Sequence, residues 1–294
     1  MPSLGLRIAG CVVELQGAQD DAPLKLGSAY APFCVKELPS PPDAIYSIEK
    51  PDRPRLRGLT APPVWANEIW RIGPSAPGGW AVEIMDVIRD RWVPVAEIVD
   101  DYSRGVIQPF AGRRADPSPH ALNYPYDQVI LMNHLLRRGV LILHGAGVVA
   151  AGNGYVFFGP SGIGKTTMSR LWIQAGAHLL NDDRVAVHCE KGVWRVTGTP
   201  WHGEEPKVST RSAPLKALVR LQQSPEYTLR ELPAGEGVAE LISCSLLPFY
   251  SRNGVAHALE RLGGLPAVVP ILEFGFKPEP SATDFFLRSR PAGA

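Results

Sequence analysis

Apolar positions along this chain change their spacing near residue 120. Before that point they fall in short runs rich in Val, Ile and Trp, separated by clusters of Pro, Gly and Asp. Such runs read as strands. The runs predict strands over Leu6–Leu15, Ala44–Ile48, Glu68–Ile72, Trp80–Ile84 and Trp92–Ile98, with loops marked by Pro41-Pro42 and Pro62-Pro63. The stretch Ala111–Pro125 is polar and carries several prolines, which makes it a linker.

After the linker the spacing alternates between helical and extended. Tyr126–Arg138 places apolar residues on one helical face, ends in Arg137 and Arg138, and is stopped by Gly139. Val140–Leu143 and Gly147–Ala150 read as strands, and Gly152-Asn153-Gly154 as a hairpin turn. Tyr155–Phe158 is wholly apolar and predicts a buried strand, followed by a helix over Lys165–Ala175. Strands are expected at Ala177–Leu180, Val185–His188 and, past a turn at Lys191-Gly192, Val193–Val196. Further strands are expected at Ala217–Leu221 and Ala267–Phe274, and helices at Glu236–Leu246 and Gly254–Arg261. The expectation is a β-rich N-terminal domain over residues 1–118 and an α/β domain with a mixed sheet over 119–294, which agrees with the usual ~100–200 residues per domain.

Composition narrows the function classes. Hydrophobic residues make up 45% of the 294, enough for a core. The formal net charge of +1 gives no whole-chain pull toward nucleic acid or an anionic membrane, so any phosphate binding has to be local. Cys11, Cys34, Cys189 and Cys244 show neither C-x-x-C nor zinc-ligand spacing, and read as reduced thiols. The first residues lack the basic and apolar regions of a secretory signal, and no run approaches the ~18 apolar residues of a membrane span. A cytoplasmic protein is expected.

The strongest chemical signal is Gly159-Pro160-Ser161-Gly162-Ile163-Gly164-Lys165-Thr166, a match to G-x-x-x-x-G-K-[ST] at every defined position. A triphosphate needs several N–H donors converging on it, and only a backbone free of Cβ crowding wraps that tightly; hence Gly159, Gly162 and Gly164. A helix starting near Lys165 adds unpaired N–H groups and about half a positive charge. Lys165 is expected to reach the β- and γ-phosphates and Thr166 to offer its hydroxyl to Mg²⁺, with Thr167 completing the ATP-binding loop. The plain alternative is a Gly-rich strand-to-helix turn with a surface lysine. A serine-hydrolase elbow is excluded, because Ile163 stands where G-x-S-x-G needs glycine.

Asn181-Asp182-Asp183 closes the apolar run His178–Leu180, at a strand end where a metal ligand and a general base would sit. The other reading is a turn acid pair holding Arg184. The pair comes about eighteen residues after Lys165, too soon for an ABC-type ATPase, and the L-S-G-G-Q signature of that class is missing.

Together these segments resemble the HPr kinase/phosphorylase family and its relatives, which share a P-loop core with ATP-dependent phosphoenolpyruvate carboxykinase. The resemblance is carried by His144-Gly145, VFFGPSGIGKTTMSRLW, GAHLLNDDRVAV and GVWRVTGTPWHGE, and covers roughly Tyr124 to Glu205. It implies a P-loop kinase domain, ATP and Mg²⁺ as cofactors, and a homo-oligomer. It implies Asp183 as the base for an acceptor hydroxyl, with His144 setting its protonation, and Thr166, Asp182 and Glu204 directed at the metal. Glu205 is as good a candidate as Glu204. The family's catalytic arginine has no assigned position; Arg184, Lys207 and Arg211 are the nearby cations. The TGTPWHGE segment departs from the HPr kinase signature, as does the N-terminal half, so HPr itself is not the expected acceptor. Relatives with this segment look like kinases of other hydroxyls, including serines in peptides or proteins. A non-catalytic ATP sensor or peptide-recognition module and a simple NTPase are the competing readings.

Trp201-His202 reads as part of an acceptor pocket or as a packed loop pair. Trp65, Trp70, Trp80 and Trp92 lack an accompanying Lys/Arg stripe, so they read as β-domain core and not as a base-stacking surface.

Overall fold

The structure, a computed structural model, describes residues 3–17, 24–49, 56–76, 78–110 and 120–290. The chain divides into two compact units, Met1–Arg138 with Pro248–Arg252, and Gly139–Leu247 with Asn253–Ala294. The architecture is mixed α and β, dominated by strands in two mixed sheets.

The first unit holds β1 (Ser3–Ile8), β2 (Cys11–Gly17), β3 (Cys34–Val35), β4 (Ala44–Ile48), β5 (Trp65–Ala66), β6 (Trp70–Pro74), β7 (Trp80–Asp86), β8 (Arg91–Ile98), β9 (Arg104–Ile107) and helix α1 (Tyr126–Arg137). The sheet order is β3-β1-β2-β4-β9-β8-β7-β6-β5. The single strand predicted over Leu6–Leu15 is a hairpin. Ile8 pairs with Cys11, and Ala9 and Gly10 both take positive φ (49° and 84°). That is the conformation a two-residue hairpin turn requires, and alanine gives no signal for it. The linker residues 111–119 lie outside the described residues, as does the boundary read at 118. Helix α1 packs with the first unit: Val129, Ile130, Leu135 and Leu136 are buried, and Asp127 in its first turn accepts a 2.6 Å hydrogen bond from the Tyr30 hydroxyl.

The second unit holds β10 (Leu141–Ala150), β11 (Asn153–Phe158), α2 (Lys165–Gln174), β12 (His178–Asn181), β13 (Arg184–Glu190), β14 (Val193–Gly198), β15 (Ser212–Gln223), β16 (Thr228–Glu231), α3 (Ala234–Ser243), α4 (Arg252–Gly264), β17 (Ile271–Phe276) and α5 (Ser281–Ser289). The two strands read before Gly152 form one ten-residue strand, β10, that continues through His144-Gly145-Ala146. The hairpin turn after it lies at Ala151-Gly152, both at positive φ, one residue earlier than read from the glycines. Sheet order is β11-β10-β13-β14-β15-β17-β16, and a parallel β11–β15 pairing closes the first five strands on themselves. β12 also pairs with β10.

Helix α2 covers this sheet because Met168, Leu171 and Trp172 share one face, three or four residues apart. Trp172 is 1% exposed and packs against Tyr155 and Phe157 of β11 and Phe286 of α5, with ring centroids 5.7–5.9 Å apart. β11, buried from Gly154 to Phe158, therefore feeds the following loop from the centre of the core. Among the described residues, no helix is long and apolar enough to cross a membrane.

Candidate active site

The loop between β11 and α2 owes its shape to glycine. Gly159, Gly162 and Gly164 have φ of 146°, 79° and 109°, a region that side chains rarely enter. Gly164 also lies under the Phe276 ring, where a Cβ would stand 3.0 Å from Cζ. No side chain caps the first turn of α2, and that turn holds no acidic residue. Its N–H groups have no partners within the helix. The loop is therefore a donor-rich cradle that suits an anion, and its residues fit the polyphosphate of ATP.

Lys165 is 8% exposed. Its ammonium donates to the carbonyls of Gly159 (3.0 Å) and Pro160 (3.2 Å), so it folds back over the loop it follows. Burial pulls its pKa below the ordinary lysine value, against the opposing pull of Cys244 and Asp183. Ser161, Ile163, Thr166 and Thr167 complete the loop and the first turn of α2, all at least partly exposed.

The acidic turn is built by Asn181. Its side-chain carbonyl accepts the N–H groups of Asp183 (2.8 Å) and Arg184 (2.9 Å), and its amide donates to the Thr199 carbonyl (3.0 Å). This turns the chain between β12 and β13 and points the two aspartates differently. Asp182 is 3% exposed, and its two oxygens accept from the backbone N–H of Gly203 (2.8 Å) and Glu205 (3.0 Å). Asp183 instead meets His144: Nδ1 donates to Oδ1 at 2.9 Å, while Arg184 pairs with Oδ2. Burial raises the Asp183 pKa, but the His144 hydrogen bond, the Arg184 charge and the Lys165 charge outweigh it and hold the carboxyl below its ordinary value.

Strand β10 brings the halves together. On one side Gly145 registers with Phe158, the residue before the loop; on the other, His144 registers with Arg184 and Gly147 with Asn181. Loop entry and acidic turn thus flank one strand, about 10 Å apart at two inter-strand spacings. The Gly145 N–H donates to the Asp183 carbonyl (2.9 Å) and the His144 N–H to the Cys244 carbonyl (2.7 Å), which pins this stretch from both directions.

The segment after β14 is tied to the same site. Glu204 is 76% exposed, with a carboxyl oxygen 3.5 Å from the Arg170 guanidinium; Glu205 takes the closer contact to Arg170, at 2.8 Å. Trp201 is buried and His202 exposed. Arg184 is the cation held at Asp183; among the described residues, neither Lys207 nor Arg211 forms an ion pair with it. Among the described residues, no group of three or more His, Cys, Asp or Glu side chains could hold a metal ion by itself. Magnesium bound with a nucleotide takes much of its coordination from phosphate oxygens and water, and so needs no such cage.

Sequence reasoning did not assign the roles of Asn181 and Arg170. An Asn followed by two N–H groups to satisfy is a known turn device and was visible in principle. The Arg170 contact spans 35 residues and leaves no local pattern. A scan against protein-family models and a search of curated proteins found no match to this chain.

Proposed function

We propose that the second unit is a magnesium-dependent kinase that transfers the γ-phosphoryl group of ATP to a hydroxyl of a peptide or protein, related to the HPr kinase group as the P-loop and acidic segments imply. The observation that carries this reading is the His144–Asp183 pair, held by β10 beside the entry to the glycine loop. An anion-binding loop alone fits a sensor or a simple NTPase. A carboxylate kept ionised by His144, Arg184 and Lys165 next to that loop fits proton abstraction from an acceptor.

Bound Mg·ATP supplies the phosphoryl group and the charge neutralisation that its transfer needs. The chain's own residues position and hold protons. Loop N–H groups and the Lys165 ammonium fix the phosphates, and Thr166 is placed to offer its hydroxyl to the metal. Asp183 Oδ accepts the acceptor's hydroxyl proton, while the Nδ1–H of His144 holds the carboxylate in orientation. Asp182 positions the Gly203–Glu205 backbone, which we assign to the acceptor side of the site. Transfer through a loose transition state needs positioning more than covalent chemistry, which matches a site built from hydrogen bonds.

The test uses Asp183→Asn. The variant is expected to bind Mg·ATP with near-normal affinity while acceptor phosphorylation, followed with labelled ATP and serine-containing peptides, falls by about 10²-fold or more. Undiminished transfer by the variant would remove Asp183 as the base. Turnover with water alone, insensitive to any peptide, would favour the NTPase reading.

A further inference from the structure

Beside the glycine loop the second unit has a cleft of about 550 Å³, within the size range of small-molecule sites. One wall is the loop itself, at Gly162–Gly164. The others come from the ends of β15 and β17 and the turns that follow them: Gln223, Pro225, Phe276 and Pro278. The pairing of Gln223 with Phe276 at the last register of β15 and β17 fixes these walls relative to each other. Phe276 is 2% exposed and its ring supports Gly164, while the Gln223 amide reaches the Gly162 carbonyl at 3.4 Å. The lining has no carboxylate; its one charged group is Lys277, half-buried, with its ammonium 5.7 Å from the Tyr227 ring centroid. His144, Asp182 and Asp183 are not part of it.

We propose that this cleft receives the nucleoside of the triphosphate, with the Gln223 amide pairing with the edge of the base. The inference rests on the triphosphate reading of the loop. A ligand whose terminal phosphates lie in that loop has to leave it on one side. The cleft adjoins the loop, offers apolar walls to the faces of a base, and places a single amide where an edge can pair with it. A primary amide carries both a donor and an acceptor, which the edge of a nucleobase complements. Lys277 adds positive charge along the path from the loop to the base.

The experiment compares binding of Mg·ATP and magnesium tripolyphosphate to the full chain by calorimetry, for the wild type, for Gln223→Trp, which fills the cleft, and for Gln222→Trp, an exposed neighbour outside the lining. The wild type and Gln222→Trp are expected to favour ATP by about tenfold or more. Gln223→Trp is expected to bind ATP no better than tripolyphosphate, the ratio of the two affinities being the readout because the Gln223 amide also touches the loop at Gly162. Equal affinity of the wild type for both ligands, or an ATP preference that survives Gln223→Trp, would overturn the cleft assignment and leave the loop reading standing. Failure of the wild type to bind either ligand would overturn the loop reading, and the cleft assignment with it.

Discussion

Lys165 and Asp183 are both displaced from ordinary titration, in ways that give opposite signatures. Burial lowers the Lys165 pKa, so the folded protein holds that proton less tightly than the unfolded chain does. In the alkaline window just below the ordinary lysine value the side chain is partly neutral, and an anion bound at the loop recharges it. Binding of Mg·ATP there is expected to take up protons, seen as a binding enthalpy that varies with the ionisation heat of the buffer. Asp183 has a folded pKa below its unfolded value, so its stabilising contribution is present above the ordinary aspartate value and fades as pH falls through the folded one. The stability gap between wild type and Asp183→Asn in urea titrations should therefore narrow on acidification below that ordinary value. The residues of the loop and the aspartate pair were legible from spacing and type. Their partners were less so: nothing local foretells that Asp182 satisfies the N–H groups of Gly203 and Glu205, because that contact is made by tertiary folding.

At the scale of elements, close backbone approaches set what the site tolerates. A Cβ on Gly198, the last residue of β14, would come 2.0 Å from the Ser209 carbonyl oxygen and 2.7 Å from that of Leu180. Both contacts are backbone, so Gly198→Ala is expected to cost about 2–4 kcal/mol in chemical denaturation. Removing the Asp182 carboxylate by Asp182→Ala strips two charge-assisted bonds from the 203–205 segment. The expected loss is about 2–3 kcal/mol, with phosphoryl transfer impaired more than ATP binding. Strong patterns agree with the structure here: β11 as an apolar run, α2 as the helix entered from the glycine loop, β4 by its bounds. Misreadings have physical causes. β10 reads as two strands because His144-Gly145-Ala146 interrupts its run of large apolar residues. The hairpin at Ala9-Gly10 was missed because alanine seldom takes positive φ. The short and largely polar β16 carries too little periodicity to stand out, and α5 is amphipathic but only nine residues long, just beyond Pro278 and Pro280.

For the whole molecule, chain order and packing order differ. The segment Pro248–Arg252 belongs to the first unit although the chain on both sides of it belongs to the second. Tyr250 contacts Asn133 of α1 and the Trp80 ring there, at 5.9 Å between centroids. No sequence pattern marks such a return, which is why a single boundary was read. Within the second unit, Trp172 ties α2 to β11 and α5. Trp172→Ala is expected to cost about 3–5 kcal/mol, read by thermal or urea unfolding, with loop function lost in step because the helix that presents Lys165 loses its seat.

Strand β10 gives the proposed reaction centre a fixed gauge. Because loop entry and acid turn hang on opposite edges of one ladder, their separation is set by backbone pairing and cannot drift with side-chain choice. On the proposed reading, a new acceptor is reached by altering the surrounding segments while the spacing between glycine loop and carboxylate stays constant. A slip of register in that one strand would, conversely, disable both halves together.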